Sequence, residues 1–569
     1  MCLVLSASSC RVWTASDVIA DSLDSSSQRR AGTPDEWVIG KLPKLVLEGT
    51  PRRGGELAVQ LGADPPSLNT IVDSDYSAAQ ITEHRVYESL VEVDPYDHPL
   101  YRHQPGLASR WEIGDDKKTY TFFLRRDVRW HDGIAFSAED VIATFQKIQD
   151  PATKAMHVRA YTRDIEAIDA LDDYTVRFRL KKPYFLVMDG IFVDVPIQPA
   201  HVISRLSGSQ YNEAAHNSLN RHPIGTGPFR FESWTSNQRI VLVRNEDYYR
   251  RGAYLDKIDF RIVKEATISL ELAERQELDI VTRLRAEQWV KMDEARIRPK
   301  YNRMLSYEPN YSWIGYNEAK PLFSDKRVRR AMTKLVDRPG IIRALQYGLA
   351  KPTTCHFFAD SDACDPSLLP LPYDPVAAVE ELESAGFRDT DGDGVRDRDG
   401  QPLRFSLMIP AGSEDVARMG TLLKESLSRA GVDMRLQRVE WSAFVRRLRD
   451  RDFDACTLSW TNGSPRSDPT QIWHSSSING GSNYIGFHNA EADRLIDEAR
   501  GELDDGRRNQ LYRDFGRILQ DEQPYTFLYI RPRLALVHRR VRGVRPTLSG
   551  FRYEDIWVEG RRGGLTVAE

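Results

Sequence analysis

Apolar and polar positions alternate with different periods along this chain, and each change of period predicts an element. After Gly54-Gly55, Leu57, Val59 and Leu61 recur at every second position, the period of a strand, and ADPPSLNT follows as a turn. Ser137-Ala-Glu-Asp140 has the spacing of a capping box and opens a helix with Val141, Ile142, Phe145 and Ile148 on one face. Asp172-Asp173 divides IEAIDAL from TVRFRL. Val176, Phe178 and Leu180 alternate with polar residues there, which predicts a hairpin with one buried face. This first stretch is α+β in character.

Further on the rhythm is more regular. Phe405, Leu407 and Ile409 make a strand; Ser413 caps a helix with the stripe Val416, Met419, Leu422, Leu423 and Leu427, and Gly431 follows its end. Val432, Met434 and Leu436 switch the period back to two, Phe444 and Leu448 mark another helix, and residues 455–460 a third strand. Strand, helix, strand, helix, strand at these lengths is a parallel α/β unit. Such sheets place ligands beyond the carboxyl ends of their strands. Two loops qualify, 410–415 and 461–483, and the second is long for a compact domain without a task. A helix carrying Leu511, Tyr512, Phe515, Ile518 and Leu519 then runs to a stop at Pro524, and YTFLYI resumes a strand.

Composition narrows the class. A length of 569 residues suggests three or four domain-sized units or fewer large ones, and 41% hydrophobic with 28% charged residues is the make-up of a folded chain. Seventy-nine basic against eighty-three acidic residues give a net charge of −4, so no basic excess points to nucleic acid. No run reaches the roughly 18 apolar residues of a spanning helix. The opening MCLVLSASSCR has a short apolar part and no basic n-region, yet its small residues before Cys10 resemble a bacterial lipobox. It reads either as the remainder of a lipoprotein signal or as a Ser-rich tail. Residues 14–53, with Ser25-Ser26-Ser27, Pro34, Pro43 and Pro51 and no periodicity, read as a tether.

Five cysteines are few, and no CxxC or HExxH spacing offers a zinc site. Cys355 and Cys364 lie close in a turn-rich stretch, where a disulfide loop or two free thiols are both open. Asp389, Asp391, Asp393 and Asp397 fall at positions 1, 3, 5 and 9 of a calcium-type loop with Gly394 at position 6, but Gly400 stands where a bidentate Glu is needed. Structural calcium and a plain Asp/Gly turn both fit.

Six segments occur together in order: DPPSLNT, YESLVEVDP, FFLRRDVRWHDGIAFSAEDVIATF, PIGTGPFRFESW, GYNEAKPLFSDKRVRRAM, and a strand-borne Trp460 before a DP-containing loop. Together they resemble the family 5 extracellular solute-binding proteins, the oligopeptide, dipeptide and nickel receptors of bacterial ABC importers, over nearly the whole chain after the tether. The resemblance implies an α/β, two-lobed periplasmic-binding-protein-like clamp (type II) with an extra α+β subdomain. Residues 1–53 would be the lipobox-like start and tether. Lobe one would comprise 54–78, 222–306 and 535–569, with the subdomain at 79–221, and lobe two would run over 307–534. Two crossings near 309–315 and 528–532 would serve as the hinge, and closure would be a population shift between open and closed states.

In peptide-binding relatives an Asp shortly after the equivalent of Trp460 grips the ligand's α-amine, and dipeptide receptors place an Arg on the loop matching 410–415. Here Trp460 is followed by Thr-Asn-Gly, the nearest acid is Asp468, and the 410–415 loop has no Arg. The resemblance therefore leaves room for a longer, blocked or non-peptide ligand, such as a nickel chelate, haem or a sugar. Candidate ligand-binding residues are Trp460, Asn462, Asp468, Asn483 and Tyr484 from lobe two and Tyr76 and Tyr87 from lobe one. Trp460 and the tyrosines suit core positions as well. The expected partners are a peptide or other small solute, an ABC permease and, through lipidation of Cys10, the membrane. Further expectations are a monomer at the periplasmic or cell-surface side, with no nucleic acid and no cofactor beyond that calcium. A secreted hydrolase is the rival from another class, although no GxSxG, SxxK, HExxH or Walker sequence occurs. A DNA-binding regulator would need a basic N-terminal module, which the first 50 residues do not supply.

Overall fold

The computed structural model describes residues 50–73, 75–97, 101–282, 284–461, 466–479, 481–547 and 550–560. Cys10, most of the tether and Asn462 lie outside them. Two separate sheets organise the chain. A seven-stranded sheet has the spatial order Tyr301–Tyr307, Pro532–His538, Ile280–Val281, Glu56–Leu61, Lys257–Ile262, Arg239–Arg244, Phe229–Thr235. Its strand Glu56–Leu61 is buried on both faces. Leu57, Val59 and Leu61 enter one core, whereas Ala58 faces a second one built around Trp289, Leu278 and Leu536.

The second sheet, of five strands, runs Asp433–Val439, Arg404–Pro410, Ala455–Thr461, Asn310–Tyr316, Tyr525–Phe527. Its first three strands are mutually parallel and carry the helices Glu414–Arg429 and Trp441–Asp450, as the alternating periods predict. Gly431 takes a φ of +76° directly after the first of these helices, a conformation that only glycine adopts without strain. Leu422 departs from the expected stripe and is exposed, whereas Met419, Leu423 and Leu427 are buried and Val416 packs against the core.

A four-stranded antiparallel sheet, Ala108–Ile113, Thr119–Leu124, Thr175–Leu180 and Ile165–Asp172, forms the subdomain with the helix Ala138–Gln149. The hairpin turns at Asp173, and Val176, Phe178 and Leu180 are buried. Ser137 and Asp140 close a reciprocal capping box on the helix.

The chain passes between the two large sheets at two neighbouring points. Tyr301–Tyr307 pairs with Pro532–His538 in the seven-stranded sheet, and Asn310–Tyr316 pairs with Tyr525–Phe527 in the five-stranded one. The expected division between 534 and 535 therefore falls inside a strand, and the second crossing sits at Arg531. The result is an α/β two-lobed clamp whose lobes are joined by a double strap.

Candidate functional site

The three parallel strands of lobe two end side by side, with Pro410 in register with Val439, and Trp460 is the penultimate residue of the third. Trp460 is half-buried, its ring stacked between Trp313, at 5.9 Å and 21°, and Tyr484, at 6.2 Å and 21°. Trp313 stacks in turn on Tyr525 at 4.0 Å and 5°. This row of four rings forms an aromatic floor. Its buried end belongs to the core, where Trp313 and Tyr525 have no exposed area. Its open end, Trp460 and Tyr484, retains surface for a ligand.

The other candidates fall elsewhere. Asn483 is wholly buried and fully engaged: its amide donates to Phe487 O at 2.9 Å and His474 O at 3.3 Å, and its Oδ1 accepts from Phe487 N at 3.0 Å. It staples its own loop. Tyr87 is buried, 1% exposed. Tyr76 begins the helix Tyr76–Thr82 and is exposed, its phenol oxygen accepting from Arg533, whose guanidinium is paired with Glu308. Asp468 is buried among protein partners, Tyr184, Arg500 and Thr470. Among the named residues that are described, the structure stacks Trp460 with Tyr484.

The loop 461–483 is not structureless. It holds the short helix Thr470–Trp473, and Trp473 is core. Its indole N–H donates to Nδ1 of His356 at 3.1 Å, and the Tyr311 hydroxyl donates to the same nitrogen at 2.8 Å. Two donors on Nδ1 require the proton on Nε2, which points at Ser467 Oγ, 3.2 Å away. Burial pushes this imidazole down to about 3, so it is neutral. Next to it, Cys355 and Cys364 form a disulfide with Cα atoms 5.9 Å apart, which decides the alternative that the sequence leaves open. The loop it closes sets Phe357 against Tyr512 at 4.4 Å.

Sequence patterns missed two contributors. Trp441 follows the strand end at Val439, is 55% exposed and stacks on Phe444 at 5.8 Å and 11°. It stands just past the carboxyl end of a parallel strand, where such sheets place ligands, and an indole just beyond an alternating run was the available signal. His356 had none, since its partners come from positions 311, 467 and 473. Burial, with Asp189 and Glu83 nearby, pushes Asp194 up to about 8.

Asp389, Asp391 and Asp393 bring carboxylate oxygens within 4.8 Å of one another on an exposed loop away from this edge. Asp397 is instead turned to Thr390, accepting its amide at 3.1 Å and its hydroxyl at 2.6 Å.

Two lobes, a double strap and an aromatic floor at the ends of parallel strands define a clamp that encloses a solute. Comparison with known proteins agrees: the profile of the bacterial extracellular solute-binding proteins, family 5, matches residues 102–482, and the chain belongs to that family. The chain is 28% identical over 494 residues to the oligopeptide-binding protein AppA of Bacillus subtilis, covering 84% of this chain and 87% of that one. It is 26% identical over 529 residues to heme-binding protein A of Haemophilus influenzae, covering 88% and 91%. The solved structure of AppA in complex with a nonapeptide superposes with a TM-score of 0.78 at 26% identity, over 90% of this chain and all of that one. Among the described residues no helix is long and apolar enough to cross a membrane.

Proposed function

We propose that this protein is the substrate-binding receptor of an ABC importer and captures a peptide-like solute between its lobes for delivery to a membrane permease. One observation carries the reading: the half-buried Trp460, held in a ladder with Trp313 and Tyr484 on the edge of the lobe-two sheet. Such a surface offers apolar area at low entropic cost and suits varied side chains on an extended ligand. The likeness to the nonapeptide-bound AppA supports a peptide over a small chelate, and the absent dipeptide-type arginine on the 410–415 loop supports a ligand longer than two residues. The receptor turns over nothing in this reading. It acts outside the cytoplasm as a monomer, anchored through lipidated Cys10, with lobe one, the subdomain (79–221) and lobe two as its units and the lobes dividing at the crossings near Asn310 and Arg531.

Native mass spectrometry of the purified protein tests this. Released peptides of several residues are the expected result. A haem, a metal chelate or a sugar in the cleft instead would reassign the ligand, and hydrolysis of any bound candidate would overturn the receptor reading.

A further inference from the structure

Asp468 bridges the inserted subdomain and lobe two. Its Oδ2 accepts the Tyr184 hydroxyl at 3.0 Å and lies 3.3 Å from Nε of Arg500. Its Oδ1 accepts the Thr470 amide at 3.0 Å and the Thr470 hydroxyl at 2.5 Å. Arg500 extends the contact: its Nη2 donates to Asp164 Oδ2 at 3.2 Å, and its guanidinium lies 4.6 Å from the Tyr184 ring centre. The Phe185 amide donates to the Arg500 carbonyl at 3.1 Å, and the Phe185 ring packs against the cores of both bodies. The side chains of Asp468 and Arg500 are each 6% exposed. Beside them Arg466 reaches Asp189 at 3.2 Å.

Asp164, Tyr184 and Phe185 flank the subdomain hairpin, whereas Asp468 and Arg500 belong to lobe two. Rotation about the crossings at Asn310 and Arg531 separates these groups. With its side chain 6% exposed and both oxygens held by protein donors, this carboxylate presents almost no open surface to a ligand ammonium. From this we infer that Asp468 is the latch of the closed clamp and not an anchor for the solute. Solute affinity is then set partly by a protein–protein contact, because only the latched fraction binds and the apparent Kd scales inversely with it. A second consequence concerns specificity: Asp468 makes no demand for a free amine on the solute. The inference rests on the clamp reading, and its test needs no solute.

Hydrogen–deuterium exchange of the full-length, ligand-free protein at the Phe185 amide reads the latch, and small-angle scattering reads the opening. In Asp468→Asn the Phe185 amide should exchange at least tenfold faster and the radius of gyration should rise, while amides of Thr119–Leu124 and Arg404–Pro410 keep their protection. Tyr184→Phe removes one hydroxyl and should give a smaller change in the same direction, which keeps the test decisive if the asparagine variant folds poorly. Unchanged Phe185 exchange and scattering in both variants, or loss of protection spread over both sheets, would overturn the latch. Either result leaves the identity of the solute to be settled separately by mass spectrometry.

Discussion

Asn310 ties the two inter-lobe straps together. Its Nδ2 donates to the Arg531 carbonyl at 3.0 Å and its Oδ1 accepts the Arg531 amide at 3.0 Å. One side-chain amide thus satisfies both backbone groups of the residue at which the returning chain crosses. Neither group can join a ladder there, since the sheet partners of each strap change at this point. Asn310→Ala should lower unfolding free energy by about 1–2 kcal/mol, as expected for two partly exposed hydrogen bonds. A shifted urea midpoint at constant slope checks it.

The aromatic floor has a binding end and a structural end, and substitution should separate them. Trp460→Ala should weaken solute binding at least tenfold in titration calorimetry with the co-purifying solute, because it removes half-exposed ring surface. Trp313→Ala should instead cost about 3–5 kcal/mol of stability, since it empties a site with no exposed area beside Tyr525. Equal loss of affinity in both variants would merge the two roles.

The disulfide between Cys355 and Cys364 closes a loop with a sequence separation of nine. On the chain-entropy account, Cys355→Ser with Cys364→Ser should destabilise the protein by about 3 kcal/mol. The effect should appear as a lower melting temperature. Reductant should lower the wild-type melting temperature in the same way and leave the double variant unchanged.

His356 makes stability depend on pH. Its pKa is pushed down to about 3 by burial, from 6.5 in an unfolded chain. Below pH 6.5 the unfolded chain binds a proton that the folded protein refuses. Stability from this group is therefore complete above pH 6.5 and declines as pH falls toward 3, by up to ~1.4 kcal/mol per unit. Glu318, pushed up to about 7 by burial, works in the opposite sense between pH 7 and 4.5, and other buried groups such as His131, pushed down to about 4, and Asp194, pushed up to about 8, add their own contributions to the wild-type curve. The difference between wild type and His356→Asn isolates the histidine. That difference should shrink as pH is lowered from 6.5 to 4.5 in urea titrations.

Much of the architecture was written locally. The alternation of Phe405, Leu407 and Ile409 with the stripe of Met419, Leu423 and Leu427 and the glycine at 431 suffices for a parallel α/β unit, because period and termination are properties of neighbours in sequence. The Trp460–Tyr484 pair was within reach for the same reason, as Trp460 lies at the end of the third strand and Tyr484 follows the loop after it. Individual roles on that loop were not. Asn483 looks like a ligand donor in sequence, yet closes its own turn.

By itself, the sequence determined the alternating periods of the lobe-two unit and the segments that mark the family, and left the pairing of Cys355 with Cys364 open. Tertiary structure alone decided what the polar side chains are for. Asp468 meets Tyr184 across 284 residues of chain, and His356 is kept neutral by burial, with Tyr311 and Trp473 donating to its Nδ1. A carboxylate or an imidazole is ambiguous until its partners and its burial are known, because hydrogen bonding and desolvation set both its charge and its availability. Those quantities belong to space and not to spacing.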